Sequence, residues 1–250
     1  MKYRILVLVC VATGTLATGV DGNDADSGTT APKPEPLLES KKISPERKGY
    51  LEATEFAKAG DFGKAMDIAK TLRDKMLDSD PYPDELEGTI YVLKKDYPSA
   101  EAAFRRMLEK APDSRVGKFN LAEVQFLQKK YEEAEALFAR VEAAENDRDI
   151  AIGDLCRYKR IICLIAGRMN GRADEMLQTQ SKTPAGSRRW IEYAQLALAY
   201  SKGEPAAANE MLEAMRKKGD LEIEDLYLDS FIELTWGERD TKGKFRFKTE

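Results

Sequence analysis

The sequence predicts an all-α fold, an α-solenoid of about five helical hairpins followed by a C-terminal capping helix. The first observation is a 34-residue internal period, because the helix-turn-helix pattern that begins near Pro81 is written twice in succession up to Val141. The second is an alanine that returns every 34 to 39 residues, with an apolar residue one helical turn later. The 42% hydrophobic content of the 250 residues is enough for a core divided among such repeats.

Two successive copies of the pattern match position by position. They share an aromatic residue, an alanine and a second aromatic residue, each displaced by 34 positions: Tyr97 and Tyr131, Ala100 and Ala134, Phe104 and Phe138. This period, with a small alanine where two helices touch, resembles the tetratricopeptide repeat family, whose unit is a helical hairpin. Gly88 and Tyr91 also fall where that family has a glycine and an aromatic residue in its first helix. The resemblance covers roughly residues 46–237.

The chain begins with the pattern of a secretory signal peptide over residues 1–17. Lys2 and Arg4 precede a short apolar run, and the small residues Thr15 and Ala17 stand at −3 and −1 positions suited to cleavage. We therefore expect export across the inner membrane to the periplasm or cell envelope, with a mature chain that begins near Thr18. An uncleaved signal would act as an N-terminal anchor, which is the only membrane association expected.

Residues 18–45 predict a disordered linker. From Asp21 to Pro36 the chain is acidic and proline-rich and lacks aromatic residues, so it buries too little apolar surface to offset chain entropy. Asp24 and Asp26 suggest a calcium loop, but Thr29 stands where such a loop requires glycine. We expect no bound metal ion and no cofactor.

Each hairpin of the solenoid is anchored on one alanine of its second helix. The five anchors are separated by 35, 34, 39 and 35 residues: Ala65, Ala100, Ala134, Ala173 and Ala208. An apolar residue follows each anchor by four positions and lies on the same helical face, as a buried helix requires. The 39-residue step indicates that the fourth hairpin has a longer connection or a longer first helix. The solenoid with its capping helix is expected to occupy residues 46–237.

The chain beyond the fifth hairpin predicts a capping helix and a tail. Residues 221–236 mix apolar and acidic positions, which suits a helix that covers the open end of the last hairpin and turns its carboxylates to solvent. Gly237 ends this helix. Residues 238–250 form a basic and aromatic tail, in which the two residue types alternate from Lys242 to Lys248. Such a tail either contacts an anionic surface or is a solvated terminus, and the solvated terminus is favoured.

The composition excludes several functional classes. The chain contains no histidine, which removes the commonest proton shuttle near neutral pH, the Ser-His and Cys-His nucleophile pairs, and zinc sites with imidazole ligands. A formal net charge of −4 and a pI near 5.3 give no basic footprint for nucleic acid. In a helix Cys156 and Cys163 would be separated by about 10.5 Å of rise, too far for a disulfide, so both are expected to be buried, the alternative being a reactive or intermolecularly paired thiol. No catalytic residue is assigned, and the protein is not expected to be an enzyme.

Aromatic residues recur on the first helices of the hairpins and form the candidate partner site. At fixed distances before the anchor alanines stand Tyr50, Tyr82, Phe119, Phe126, Tyr158, Trp190, Tyr193 and Tyr200. In the proteins that this sequence resembles, such first-helix positions line a concave groove where partner peptides lie. The resemblance implies an aromatic groove for an apolar partner segment. It argues against the family's clamp for C-terminal carboxylates, which needs Lys, Arg and Asn there. The same spacing also suits core packing, so each aromatic residue lies either in the groove or in the core.

These observations predict a non-catalytic protein-protein interaction scaffold in the bacterial cell envelope. The second half of the chain, including Leu228 to Trp236, also looks similar to repeat proteins of the bacterial envelope. A protein partner is expected, and no nucleic acid. Two alternatives remain open. One is a structural module that self-associates through its edges or groove without a foreign ligand, and the other is an envelope hydrolase whose solenoid presents a catalytic carboxylate.

Overall fold

The computed structural model describes residues 44–145, 150–180, 189–217 and 224–249. In these segments ten helices pair into five consecutive hairpins: α1 (Pro45–Lys58) with α2 (Phe62–Lys75), α3 (Tyr82–Lys94) with α4 (Tyr97–Lys110), α5 (Arg115–Leu127) with α6 (Tyr131–Glu145), α7 (Ile150–Ala166) with α8 (Asn170–Gln180), and α9 (Arg189–Ser201) with α10 (Pro205–Lys217). The predicted all-α solenoid is therefore confirmed. The predicted signal peptide and almost all of the predicted linker lie outside the described residues.

Short polar residues set the starts of the first helices in the chain. Ser44, Asp61, Asp96 and Ser114 each precede a helix, and each side chain accepts a hydrogen bond of 3.1–3.3 Å from the backbone N–H three residues further on. Such an N-cap satisfies one of the N–H groups that the first helical turn leaves without a partner. Four of the first five helices thus begin where the sequence provides a capping oxygen, whereas α3 follows Pro81 without a side-chain cap.

The turn inside each hairpin uses one residue in the left-handed backbone conformation. The first and last hairpins have Gly60 and Gly203 there, with φ of 86° and 82°. The three hairpins between them have Lys95, Lys129 and Arg168 at the equivalent position, with φ of 64°, 62° and 61°. A side chain in this conformation costs some backbone strain, which glycine avoids. The three middle turns therefore each carry a basic residue where the first and last carry glycine.

The anchor alanines lie where the two helices of each hairpin meet. All five, Ala65, Ala100, Ala134, Ala173 and Ala208, are 0% exposed. Gly88 shows why the facing position is small, because a Cβ atom there would lie 2.6 Å from the Phe104 ring. The predicted repeat register is therefore confirmed. The long fourth interval has a simple origin, since α7 has 17 residues whereas the other first helices have 13 or 14.

The C-terminal helix, α11 (Glu224–Glu233), follows as predicted but ends before Gly237 and lies elsewhere than expected. It contacts α7 and α9, so it crosses the first helices of the fourth and fifth hairpins. Leu228 and Phe231 are fully buried, and the Glu233 side chain is only 13% exposed. The expectation that its carboxylates face solvent is therefore wrong for Glu233, because α11 rests on the inner helices.

The C-terminal tail is not the solvated terminus that the sequence favoured. Strand β1 (Gly237–Arg239) pairs antiparallel with β2 (Phe245–Phe247), and the two phenylalanine rings at the ends of β2 are each 1% exposed. Asn209 of α10 accepts a hydrogen bond from the Phe247 N–H at 2.9 Å and donates one to its carbonyl at 3.2 Å. The tail folds back because its alternating phenylalanines share one strand face and bury together.

The core runs along the solenoid in three adjoining clusters. One lies between the first two hairpins, a second between the second and third, and the largest joins the last three hairpins with α11 and β2. No helix within the described segments is long and apolar enough to cross a bilayer. The second half of the molecule therefore has the thicker core, because the C-terminal elements add a layer to it.

Candidate functional site

The structure places most of the predicted groove aromatics in the core. Six of the eight are at most 3% exposed: Tyr50, Phe119, Phe126, Tyr158, Trp190 and Tyr193. The other two, Tyr82 and Tyr200, are partly buried. The prediction that these residues form a row along an open concave face is therefore corrected for the six buried side chains.

Helix α11 covers two members of the predicted row. Tyr227 of α11 stacks on Tyr193 with ring centroids 4.7 Å apart, and it meets Tyr158 edge-on at 4.9 Å. The Tyr158 hydroxyl donates a hydrogen bond of 2.6 Å to the Tyr227 carbonyl. Two first-helix tyrosines therefore bind a helix of their own chain, where the sequence suggested a partner segment.

The first-helix aromatics nearer the N-terminus pack between neighbouring helices of the solenoid. The Tyr50 ring lies 5.1 Å from that of Tyr82, and its hydroxyl is 3.1 Å from Thr89 Oγ1 and 3.4 Å from Glu85 Oε1. Burial raises the pKa of Glu85 to about 7, and the hydrogen bond from Tyr50 partly opposes this rise. Phe119 instead packs edge-on against a phenylalanine of α6. These contacts are those of core residues.

An open pocket of about 640 Å³ remains beside α11. Its lining residues come from the C-terminal ends of four helices (α5, α7, α9 and α11) and from the N-terminal ends of two (α6 and α8). We call this cavity the hairpin-end pocket; its aromatic and charged lining consists of Phe126, Tyr131, Tyr200, Trp236, Glu233, Lys129 and Arg168. Its volume is in the range of pockets that bind ligands. It brings together two of the predicted groove residues, Phe126 and Tyr200.

The aromatic walls of the hairpin-end pocket are fixed from behind. Tyr200 stacks on Trp236 at 5.3 Å and on Phe247 of β2 at 5.1 Å. Phe126 packs against Tyr131 at 5.7 Å. Rings that neighbouring rings hold in place lose little freedom when a ligand binds, which favours binding. The tail hairpin thus supports one wall of the pocket.

The acidic group of the hairpin-end pocket belongs to a buried charge cluster. Lys159 Nζ lies 2.9 Å from Glu123 Oε2 and 3.9 Å from Glu233 Oε2. Burial raises the pKa of Glu233 to about 8, although Lys159 lowers it, and burial also raises the pKa of Glu123. One lysine thus faces two carboxylates in a shielded site, and Glu233 carries a proton for most of the time at neutral pH.

Hydrogen bonding around Asn170 leaves one acceptor without a donor. The Ser201 hydroxyl donates to the Leu198 carbonyl at 2.9 Å, so Asn170 must present its Nδ2 group to Ser201 Oγ, at 3.5 Å. Asn170 Oδ1 is then buried without a hydrogen-bond partner, as is Glu233 Oε2. Buried acceptors are rarely left in this condition, so both oxygens call for an explanation.

The cysteines and acidic residues give no sign of a chemical centre. Cys156 and Cys163 are both fully buried, as predicted, and burial raises the pKa of the Cys163 thiol well above its usual value, which keeps it protonated. Across the described segments no group of three or more Cys, Asp or Glu side chains is placed to hold a metal ion.

Several lining residues of the hairpin-end pocket were not among the predicted site residues. Tyr131 was seen as a repeat landmark, whereas Asn170, Glu233 and Trp236 were not assigned to a site. The repeat period gives no hint that residues of the hairpins and of the C-terminal segment converge, because the crossing of α11 over α7 and α9 brings them together. The one sequence feature that could have indicated a site here is Trp236, which comes just after the short acidic helix.

Comparison with known proteins supports the repeat architecture. A family model described as the tetratricopeptide repeat matches residues 91–157. Among solved structures, the chain is similar to the nearly identical TPR-like repeats of a protein described as a kinesin light chain from Podosopora anserina. The identity is 16% and the TM-score 0.56, with coverage of 68% of this chain and 92% of that one.

A second solved structure, MamA of AMB-1, has 16% identity and a TM-score of 0.45, with coverage of 69% of this chain and 97% of that one. No curated protein matches the chain. At such identities the likeness to solved structures concerns the fold alone.

Proposed function

We propose that this chain, a member of the tetratricopeptide repeat family, is an exported scaffold of the bacterial cell envelope that binds a partner protein without catalysing a reaction. Stacked helical hairpins build extended surfaces suited to protein binding. The family match, the five buried anchor alanines and the repeated hairpins support the scaffold. The signal-peptide pattern of residues 1–17 supports export.

The observation that carries the proposal is the hairpin-end pocket. The inner face over α7 and α9 is occupied by α11, whereas the pocket beside it stays open at about 640 Å³. Its aromatic walls are held by stacked neighbours, and rigid aromatic rings dominate the binding energy of protein interfaces. The partner segment in this proposal inserts a side chain between Tyr131 and Tyr200.

Photo-crosslinking from two matched glycines tests this site. Gly171 lines the pocket, and a Cβ atom there meets no other atom within 4 Å. Gly63 is the second residue of α2, as Gly171 is of α8, and a Cβ atom there meets only Asp61 Oδ1, at 3.8 Å. Photo-reactive benzoylphenylalanine is introduced at one position or the other, and the full chain is irradiated in its native cells.

A discrete product between this chain and another protein is expected from position 171 and not from position 63. A product with the mass of two copies of this chain would show that the chain binds a second copy of itself there, in place of a foreign protein. Identical products from both positions, or none from either, would remove the pocket as the partner site.

Export is tested separately by mass spectrometry of the native protein, which is expected to begin near Thr18. A cytoplasmic product with an intact Met1 would overturn the envelope role.

A further inference from the structure

We infer that the hairpin-end pocket receives an organic cation, a guanidinium or ammonium group on an apolar stem. In the proposed scaffold this cation is the end of an arginine or lysine side chain of the partner, so its source rests on the proposed function. The need for a cation rests on the pocket alone.

The first argument is a shortage of hydrogen-bond donors. Asn170 Oδ1 and Glu233 Oε2 are buried acceptors without a hydrogen-bond partner, and both residues line the pocket. An unsatisfied buried acceptor destabilises the protein, and a ligand that donates to it recovers that loss. A guanidinium group carries five N–H donors and no acceptor, and an ammonium group carries three donors. Both groups supply what the lining lacks.

The second argument is a shortage of positive charge. Elsewhere in the chain the buried carboxylate of Asp84 is met by three cations at 2.6–3.0 Å: Arg73, Arg106 and Lys110. At the pocket a single cation faces two carboxyl groups. Lys159 Nζ lies 2.9 Å from Glu123 and 3.9 Å from Glu233. A second cation beside Glu233 would complete this cluster in the way that the Asp84 cluster is already complete.

The third argument is the aromatic lining. Cations bind to the faces of aromatic rings, most strongly where water is excluded. Lys159 Nζ already lies 5.3 Å from the centre of the Phe126 ring, which is itself part of the pocket lining. Tyr131, Tyr200 and Trp236 offer further rings to the apolar stem and to the charge.

Two basic residues of the lining, Lys129 and Arg168, do not reverse this conclusion. Both are exposed and both follow a helix C-terminus, where a cation complements the partial negative charge of the helix end. Water and salt screen these exposed charges, whereas the charge that Glu233 acquires when a cation displaces its proton is shielded from solvent and little screened. Four helices end at the pocket and two begin there, so the backbone adds no net preference for an anion.

Cation binding should release a proton from Glu233. The charged groups that face this carboxyl are Lys159 of α7, which favours its ionised form, and Glu123 of α5 and Asp229 of α11, which oppose it. Tyr97 of α4 also lies within its electrostatic reach. With the pKa raised to about 8 by burial, Glu233 is mostly protonated at pH 7. A bound cation favours the ionised form and so displaces that proton.

Titration calorimetry of the full mature chain tests the inference. The probes are N-acetyl-arginine amide, N-acetyl-lysine amide and N-acetyl-citrulline amide, the last having the shape of arginine without its charge. The two cationic probes are expected to bind about tenfold more tightly than citrulline. At pH 7, titrations in two buffers of different ionisation enthalpy are expected to show net proton release when a cation binds.

Two variants and a control locate the effect. Glu233→Gln keeps the size of the side chain and should abolish both the preference over citrulline and the proton release. Glu133→Gln, at an exposed position of α6, should change neither. Asn170→Asp adds a carboxylate at the first position of α8, where a negative charge also suits the helix end, and should tighten binding of both cations.

Equal affinities for arginine and citrulline probes, an unchanged preference in folded Glu233→Gln, or no binding of any probe would each overturn the inference. These outcomes can be distinguished from failure of the proposed partner-binding function. A partner crosslinked at position 171 without cation preference leaves the proposed function standing, whereas cation binding without any crosslinked protein makes the pocket a site for a free amine or guanidine.

Discussion

Replacing Glu233 by glutamine should remove a pH dependence from the stability of the protein. In the folded chain Glu233 is buried beside Lys159 and Glu123, and its pKa is raised from 4.5 to about 8, mainly by burial. The folded state therefore holds this proton more tightly than the unfolded state. The stability from Glu233 is fully present below pH 4.5 and is lost as the pH rises through about 8.

The size of the effect follows from linkage. Where one extra proton is bound in the folded state, the free energy of unfolding falls by about 1.4 kcal/mol for each pH unit. Between pH 5.5 and pH 7.5 the contribution from Glu233 accordingly falls by roughly 2–3 kcal/mol. The glutamine in Glu233→Gln is neutral at every pH and has the same size as glutamate. The free energy of unfolding of this variant therefore lacks the pH dependence that Glu233 contributes. The variant should therefore gain stability relative to the natural chain as the pH rises.

Urea denaturation followed by circular dichroism, repeated at half-unit steps from pH 5.5 to pH 8.5, measures this difference. The comparison of two chains cancels titrating groups that do not interact with Glu233, such as Glu85, whose pKa is also raised by burial. Glu133→Gln, exposed on α6, is the control and should follow the natural chain throughout. Parallel curves for Glu233→Gln and the natural chain would show that Glu233 is not held in a shielded site, and the account of the buried cluster would be refuted.

Three substitutions test the packing that surrounds the site, each by urea denaturation. Ala134→Leu, at a fully buried anchor, should cost roughly 1–3 kcal/mol by overpacking, and an unchanged midpoint would disprove the repeat register. Phe231→Ala, which empties a fully buried position of α11, should cost roughly 3–5 kcal/mol; a small loss would mean that α11 is not docked on α7 and α9. Asn209→Ala should cost about 1–3 kcal/mol and speed amide exchange at Phe247, and unchanged exchange would contradict the anchoring of β2 on α10.

The solenoid could be predicted from the sequence because its physics is local and repeated. The alanine of each hairpin must be small where two helices touch, and the next apolar residue must lie on the same face, so both recur with the repeat. Ala173, in the most divergent hairpin, is as fully buried as the others. The longer α7 was also visible as the 39-residue interval between anchors.

The role of the first-helix aromatics could not be settled by periodicity, since one spacing serves a buried face and an inner groove equally well. Position in the fold decides between them. Tyr158 and Tyr193 are buried because Tyr227 lies on them, and Tyr227 is separated from both by an entire hairpin or more. Tyr200 was predicted from the same kind of spacing, yet it is only partly buried, and Trp236 and Phe247 stack on it instead of Tyr227.

The C-terminal elements explain why the pocket forms in the second half of the chain. Tyrosines that a regular solenoid would leave on its inner face instead hold α11 in place, and the end of α11 brings Glu233 and Trp236 against the ends of α5, α7 and α9. The tail hairpin then fixes one wall, because Phe247 stacks on Tyr200 while Asn209 holds the backbone of β2. The regular repeats thus supply a framework, and the irregular C-terminus turns one edge of it into a pocket with a carboxylate beside aromatic rings. A change in the tail should therefore alter binding at the pocket even though no tail strand residue lines it.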